Sequence, residues 1–362
     1  MISSIILTNF KCFERLDLNI KPLSLLYGPN GMGKSSVIQA LLVLRQSYLS
    51  GELTSGRLVL SGDLADLGTG ADLLFEDAAV DVLGFELVWT DKSDSRRWSI
   101  AFQYEREADR LQALPQRQHR PPSYVPVQER KRPPFGGQFV YLNAERIGPR
   151  KTHMLSETKA RSCDLGPKGE FVLNYLHSEA RTPVAEADLR TKKTVPLQLG
   201  PQVDAWLQEV TPGVHLELEP IRAADAVIGG FVFDREGDVA SRRYRATNVG
   251  FGLSYVLPII VALMATRARG LVLLENPEAH IHPRGQTKLG ELAARAAAGG
   301  VQVLVETHSD HFMDGVRIAV RDGLVMPGEV SFHYFDRSGA GLKQRFGESR
   351  VDLMAYGRTP RS

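Results

Sequence analysis

The stretch Gly28-Pro-Asn-Gly-Met-Gly-Lys34-Ser35, followed by Ser36, fits G-x-x-x-x-G-K-[ST] without a mismatch. Before it, Leu23 to Tyr27 reads as a short buried strand. After it, Ser36 to Tyr48 carries apolar residues at helical spacing. Strand, loop and helix in that order are the context a phosphate loop requires. Glycines let the backbone wrap phosphates, so that successive N–H groups and a helix N-terminus point at negative charge. Asn30, Gly31, Met32, Gly33, Lys34, Ser35 and Ser36 are therefore the expected nucleotide contacts. Lys34 is placed to reach the β and γ phosphates, and the Ser35 hydroxyl to ligate Mg²⁺. The plainer alternative is a glycine turn that caps an ordinary helix.

With 362 residues the chain can build one large core, or two domains with one inserted into the other. A formal net charge of +2 leaves no global nucleic-acid footprint, so any such binding is local. Cys12 and Cys163 are the only cysteines, which excludes a disulfide framework and an all-cysteine metal site. The opening Met1 to Phe10 lacks the charged and apolar regions of a signal peptide. Leu253 to Ala265 is apolar but shorter than the roughly 18 residues that span a bilayer, and it contains Pro258. It reads as a core helix. A cytoplasmic location with no membrane partner is expected.

Paired strands open the chain at Ile2 to Leu7 and Leu16 to Ile20, and Arg57 to Leu60 and Val80 to Thr90 read as further strands. Residues 1–104 are thus the first part of a head with a mixed sheet. Residues 105–138 are rich in Pro, Arg and Gln and read as a surface loop, whose cluster Glu129-Arg-Lys-Arg132 is a local candidate for nucleic acid. Residues 139–245 read as an inserted α+β arm or lobe, with one clear helix at Val203 to Val210 and strands at Val214 to Leu218 and Gly230 to Asp234. From 246 to 362 strands again alternate with helices, which implies a parallel sheet and the second part of the head.

Two strand ends carry acids or histidine. Leu271-Val-Leu-Leu-Glu275 has the form of a Walker B strand, whose carboxylate holds Mg²⁺ directly or through water. It lies about 240 residues beyond the phosphate loop, so the insertion splits the nucleotide fold. Val301 to Val305 runs into Glu306-Thr-His308-Ser309, which puts His308 at a strand's C-terminal end, where ligands sit in open α/β sheets. A competing reading makes metal sites of Glu275, Glu278, His280 and His282, or of His308, Asp310 and His311.

Taken in order, several motifs are similar to those of ABC-type ATPases of the SMC, RecF and OLD kind. They are Leu7-Thr-Asn-Phe-Lys-Cys-Phe13, the phosphate loop, Asn248 to Ser254, the Walker B strand, Glu278-Ala-His-Ile-His-Pro283 and Glu306-Thr-His-Ser309. With Tyr141 to Arg150 added, the chain resembles prokaryotic AAA-family ATPases of unknown function. That resemblance implies an α/β, P-loop NTPase head of ABC-ATPase type. It places the signature motif at Asn248 to Gly252, with Asn248, Gly250, Gly252 and Ser254 as phosphate contacts, and the D-loop at His280 to Pro283. It makes Glu275, Glu278 and His308 the catalytic set and leaves Gln39 and Gln46 as candidates for the glutamine loop.

Relatives often read Asp-Glu-Pro-Glu where this chain has Glu275-Asn276-Pro277-Glu278, so the usual general-base position carries an amide. Asn cannot accept a proton, which implies slow hydrolysis unless Glu278 or Glu275 takes the role. The resemblance implies an ATP- and Mg²⁺-dependent ATPase that closes as a homodimer with two composite sites. Such a dimer is expected to gate a separate effector, a nuclease or toxin, in defence against phage or plasmids. A DNA-repair or DNA-binding ATPase, a scaffold with vestigial ATPase and a transporter ATPase are the alternatives. A nuclease of the OLD type is disfavoured, since only about fifty residues follow His308.

Overall fold

Apolar strands that end in polar loops build the centre of this protein. The computed structural model describes residues 1–91, 94–115, 124–184, 189–191, 195–235, 240–336 and 347–348. In chain order the first strands are Ile2–Phe10 (β1), Phe13–Asn19 (β2) and Leu23–Tyr27 (β3). The helix Lys34–Leu49 (α1) follows, then Arg57–Val59 (β4), Val82–Asp91 (β5), Asp94–Gln103 (β6), Arg110–Gln112 (β7) and Phe139–Leu142 (β8). The middle of the chain holds His153–Met154 (β9), Glu157–Arg161 (α2), Val172–Glu179 (α3), Leu199–Val210 (α4), Val214–Ile221 (β10), Ala226–Phe233 (β11) and Tyr244–Arg245 (β12). Phe251–Ala265 (α5), Leu271–Glu275 (β13), Pro283–Ala298 (α6), Gln302–Glu306 (β14), Asp310–Arg321 (α7) and Val330–Tyr334 (β15) complete it.

The central sheet runs β15-β3-β14-β13-β8, parallel throughout, with the pair Gly347–Glu348 added antiparallel to β15. Alternate side chains of each strand point to opposite faces. Val272 and Leu274 join one core, with α3 to α7, whereas Leu271 and Leu273 join the other, with α1 and the antiparallel sheet β2-β1-β5-β6. The expected mixture of parallel and antiparallel strands is observed: a parallel centre with one antiparallel edge pair, and the antiparallel sheet β2-β1-β5-β6 on one face, with β10-β11-β12 and β4-β7 as smaller sheets.

Three expectations change. Residues 105–138 are more than a surface loop, because Leu111, Val125 and Phe135 are buried. The Phe135 ring stands 4.7 Å from Trp98 and 6.0 Å from Trp89, and the two indole N–H groups donate to Tyr124 O and Pro133 O, each at 2.8 Å. A buried indole must place its N–H on an acceptor, and this segment supplies the acceptors. Residues 116–123 lie outside the described residues. Second, β8 belongs to the central sheet and pairs with β13, although it opens the stretch expected to be an inserted lobe. Third, among the described residues that lobe has three α-helices where one clear helix was expected, and it shares a core with the head: Tyr175, Trp206 and Leu207 are buried in one cluster with Val256, Ile259 and Leu289. The reason lies in α5, where Val256 to Met264 are all buried. A helix apolar on every side needs cover on every side. The lobe provides part of it. No described helix is long and apolar enough to cross a membrane.

Gln302 joins the two sheets. It is 2% exposed, its Nε2 donates to Ile2 O at 2.6 Å, and its Oε1 accepts from Ile2 N at 2.8 Å. Replacing it with Leu strands both backbone groups of Ile2 in an apolar layer. Gln302→Leu is expected to lower stability by about 2–4 kcal/mol, read as a fall in the urea midpoint at unchanged slope.

Candidate functional site

The phosphate-loop segment turns on three glycines with positive φ: Gly28 at 130°, Gly31 at 74° and Gly33 at 93°. Two of them are also required by space. A Cβ on Gly28 would stand 2.3 Å from Phe335 O, and one on Gly33 would stand 2.5 Å from Cys12 Sγ. The opening motif thus lies directly under the loop. Asn9, near the end of β1, and Lys11, in the turn after it, both adopt left-handed φ; the Asn9 amide donates to Val80 O and Val82 O, and Lys11 Nζ donates to Gln39 at 2.6 Å.

Cys12, Asn30, Gly31, Gly33, Lys34, Ser35, Ser36 and Glu306 line a cleft of about 260 Å³. Met32 is not among them and packs against the core below. Lys34, 3% exposed, donates to the carbonyls of Gly28 at 3.0 Å and Pro29 at 2.6 Å, so it braces the loop from within. Burial lowers its pKa, opposed by the charge of Glu306. Ser35 Oγ donates to Glu306 Oε1 at 2.9 Å. Glu306 and Cys12 were not among the expected contacts. Glu306 had a visible signal, an acid closing a largely apolar strand beside the expected Walker B strand, which itself closes on Glu275.

Strands β13 and β14 pair so that Glu275 stands opposite Glu306. Glu275 accepts the Tyr141 hydroxyl at 3.1 Å and the Ala144 N–H. Burial, then the neighbouring Glu306, pushes its pKa up to about 7. Burial raises Glu306 as well, against the hydrogen bond from Ser35 and the charge of Lys34. Arg146, 2% exposed, donates to Asn143 O at 3.2 Å, Glu275 O at 2.8 Å and Asn276 O at 2.7 Å, with its guanidinium 5.3 Å from the Tyr255 ring centre. The segment after β8 thereby clamps the turn after β13. Burial lowers the Arg146 pKa to about 10, which leaves it charged at neutral pH.

Glu278 is spoken for on both oxygens, by Thr307 Oγ1 at 2.7 Å and by the His308 N–H at 2.8 Å. It ties the turn after β13 to the turn after β14. The His308 side chain is exposed at that strand end. Asn276 sits in the left-handed region at φ 44°, and its N–H donates to Glu306 O at 2.9 Å. Asn suits this position for conformational reasons apart from any proton transfer, because it is among the few side chains that tolerate this region readily. Neither expected metal cluster converges: among the described residues no three His, Cys, Asp or Glu side chains are placed to hold an ion.

Asn248 and Gly250 are exposed, and neither lines the phosphate-loop cleft. A Cβ on Gly250 would meet nothing within 4 Å, whereas one on Gly252 would stand 2.6 Å from His280 O. Gly252 therefore has a packing reason within the chain, and Gly250 has none. Ser254 faces another cleft, beside Gly148, His153 and Pro258. His280 meets the Tyr255 ring edge-to-face, with ring centres 4.6 Å apart, which joins the expected D-loop to α5. Gln46 spends its amide on Val59 O and Ala65 N, and Gln39 accepts from Lys11, so neither lines the cleft.

The left-handed turn at Asn276 makes a prediction about stability. Asn276→Gly is expected to leave the urea midpoint nearly unchanged, while Asn276→Glu lowers stability by about 1–2 kcal/mol through backbone strain.

Comparison with known structures and families fits this geometry. The Smc head bound to the C-winged helix domain of ScpA superposes with a TM-score of 0.55 at 12% identity, over 97% of this chain and 98% of that one. The SMC head domain from Thermotoga maritima gives 0.49 at 12% identity, over 96% and 98%; the fold argument rests on the former. No curated protein matches the chain in sequence. The expected head of SMC kind is thus the fold observed. Residues 23–314 match the family described as "AAA domain, putative AbiEii toxin, Type IV TA system", and the chain belongs to that AAA family.

Proposed function

We propose that this protein binds ATP with Mg²⁺, closes as a homodimer around it, hydrolyses it slowly, and so switches a separate effector. One observation carries the reading: Asn248 and Gly250 are exposed on a surface that does not line the phosphate-loop cleft. One chain therefore presents two halves of a site that do not meet. A two-fold dimer would bring each half onto its complement and give two equal sites. Gly250 supports this further, since no contact within its own chain demands a glycine there. Phe251 beside it is 57% exposed, an apolar side chain of the sort that interfaces cover.

In each site the loop N–H groups and Lys34 would take the phosphates, and Ser35 the magnesium ion, which would neutralise charge developing on the transferred phosphoryl group. Glu275, Glu278 and His308 remain the proposed catalytic set. The double hydrogen bonding of Glu278 favours a bracing role for it, which supports slow turnover. Closure would strain or relieve the packing of α5, whose first turn carries Gly252 and whose body is covered by the lobe. The lobe is thus the natural surface through which a partner would feel nucleotide. The Smc head seen with a ScpA domain supports a protein partner of this kind, and the toxin named in the family description supports a defence role with a toxic effector.

Two measurements test the reading. Lys34→Ala is expected to weaken ATP binding by at least about 1.5–3 kcal/mol, the worth of hydrogen bonds to a charged group, by calorimetry on a folded variant; undiminished affinity overturns the phosphate-loop assignment. Gly250→Asp has room for its side chain and an ordinary φ of −59°, so it should fold and bind ATP as a monomer yet fail to close. Mixed with Lys34→Ala it should recover one working site per heterodimer. Heterodimers that form without ATPase activity would count against composite sites.

A further inference from the structure

The acid expected to hold magnesium, Glu275, does not line the phosphate-loop cleft, and Glu306 does. Glu306 is 6% exposed. Its Oε1 accepts from Ser35 Oγ at 2.9 Å, whereas its Oε2 is buried with no hydrogen-bond partner. An unpartnered carboxylate oxygen in so dry a place is costly, and such groups call for an ion or a proton. Glu275 has other commitments, to the Tyr141 hydroxyl and the Ala144 N–H. The strand register also sets Glu275 opposite Glu306, and two carboxylates side by side favour a divalent cation between them and the phosphates.

From this geometry we propose that Glu306 and Ser35 together ligate the magnesium ion of the bound nucleotide, with Glu275 held behind them by Tyr141. The inference rests on the phosphate-loop reading above. Neighbouring ligands of an octahedral Mg²⁺, with bonds of about 2.0–2.1 Å, stand about 2.9 Å apart. Ser35 Oγ and Glu306 Oε1 already have that separation. The ion would replace the hydroxyl proton as their link, and the free Oε2 of Glu306 would take a metal-bound water. An oxygen-only donor set of one hydroxyl, one carboxylate and phosphates suits Mg²⁺ and Mn²⁺ over softer metals.

The test reads binding, with no turnover needed. ATP affinity is measured by calorimetry with Mg²⁺ and with EDTA, and the Mn²⁺ complex is followed by electron paramagnetic resonance. Wild type is expected to gain affinity with the metal. Glu306→Gln keeps the Ser35 contact and, by removing a negative charge beside the phosphates, should bind at least as tightly as wild type in EDTA, yet lose the metal-dependent gain by at least about 10-fold, a loss typical even of groups one step removed from a metal. Glu275→Gln should keep most of the gain. Should the amide variant fail to fold, Glu306→Asp, which withdraws the charge by one methylene, is expected to show the same loss. A Glu306 variant that retains the full gain, or a loss confined to Glu275→Gln, overturns the proposal. Wild type that binds no ATP with or without metal fails the phosphate-loop reading itself, and this inference with it.

Discussion

Everything at the candidate site answers to one constraint: the parallel pairing of β13 with β14 sets two carboxylates, the half-buried Glu275 and the buried Glu306, opposite one another. Neither can be ionised cheaply in that position without compensation. The compensators come from three stretches of the chain. Tyr141 reaches from β8, Ser35 and Lys34 from the start of α1, and Arg146 from the segment beyond β8. Because these groups converge only when the central sheet is complete, the site is assembled by the fold as a whole.

The same constraint explains why the turn after β13 is held so firmly. Its carbonyls at Glu275 and Asn276 are taken by one guanidinium, whose planar fork matches two acceptors at once. Its left-handed residue is the amide that tolerates such a conformation. Glu278 then fastens this turn to the end of β14 through Thr307 and His308. The two strand ends behave as one unit, and a displacement of either is felt by the other.

On the far side of the sheet, the opening motif has a physical role that spacing alone does not reveal. Cys12 and Phe13 come so close to Gly33 that no side chain fits there. The first strand pair is thereby the floor of the phosphate loop, and the antiparallel sheet is coupled to the site through it. The lobe is coupled from the opposite face, since α4 and α3 complete the burial of α5. The residues expected to form a signature motif sit at the start of that helix, so the lobe and the exposed Gly250 are joined by a common element.

Local patterns in the amino-acid sequence determined the phosphate loop, β3 to the residue, the apolar core helix α5, and the two acid-ended strands, because each rests on short-range periodicity and turn chemistry. They also carried the likeness to heads of the SMC kind. Tertiary structure alone decided which face each strand presents to which core, that β8 joins the central sheet, and that the lobe is bound into the head. It decided too that Glu306, and not Glu275, stands beside Ser35. Phe135 in a proline- and arginine-rich stretch, and Gln46 beside a phosphate loop, carry no local mark of their partners. Those partners, Trp98 and Trp89 in the one case and the Val59 and Ala65 backbone in the other, are set by which surfaces meet when the layers close. A hydrogen-bonding group finds its acceptor only after burial has removed water as the alternative.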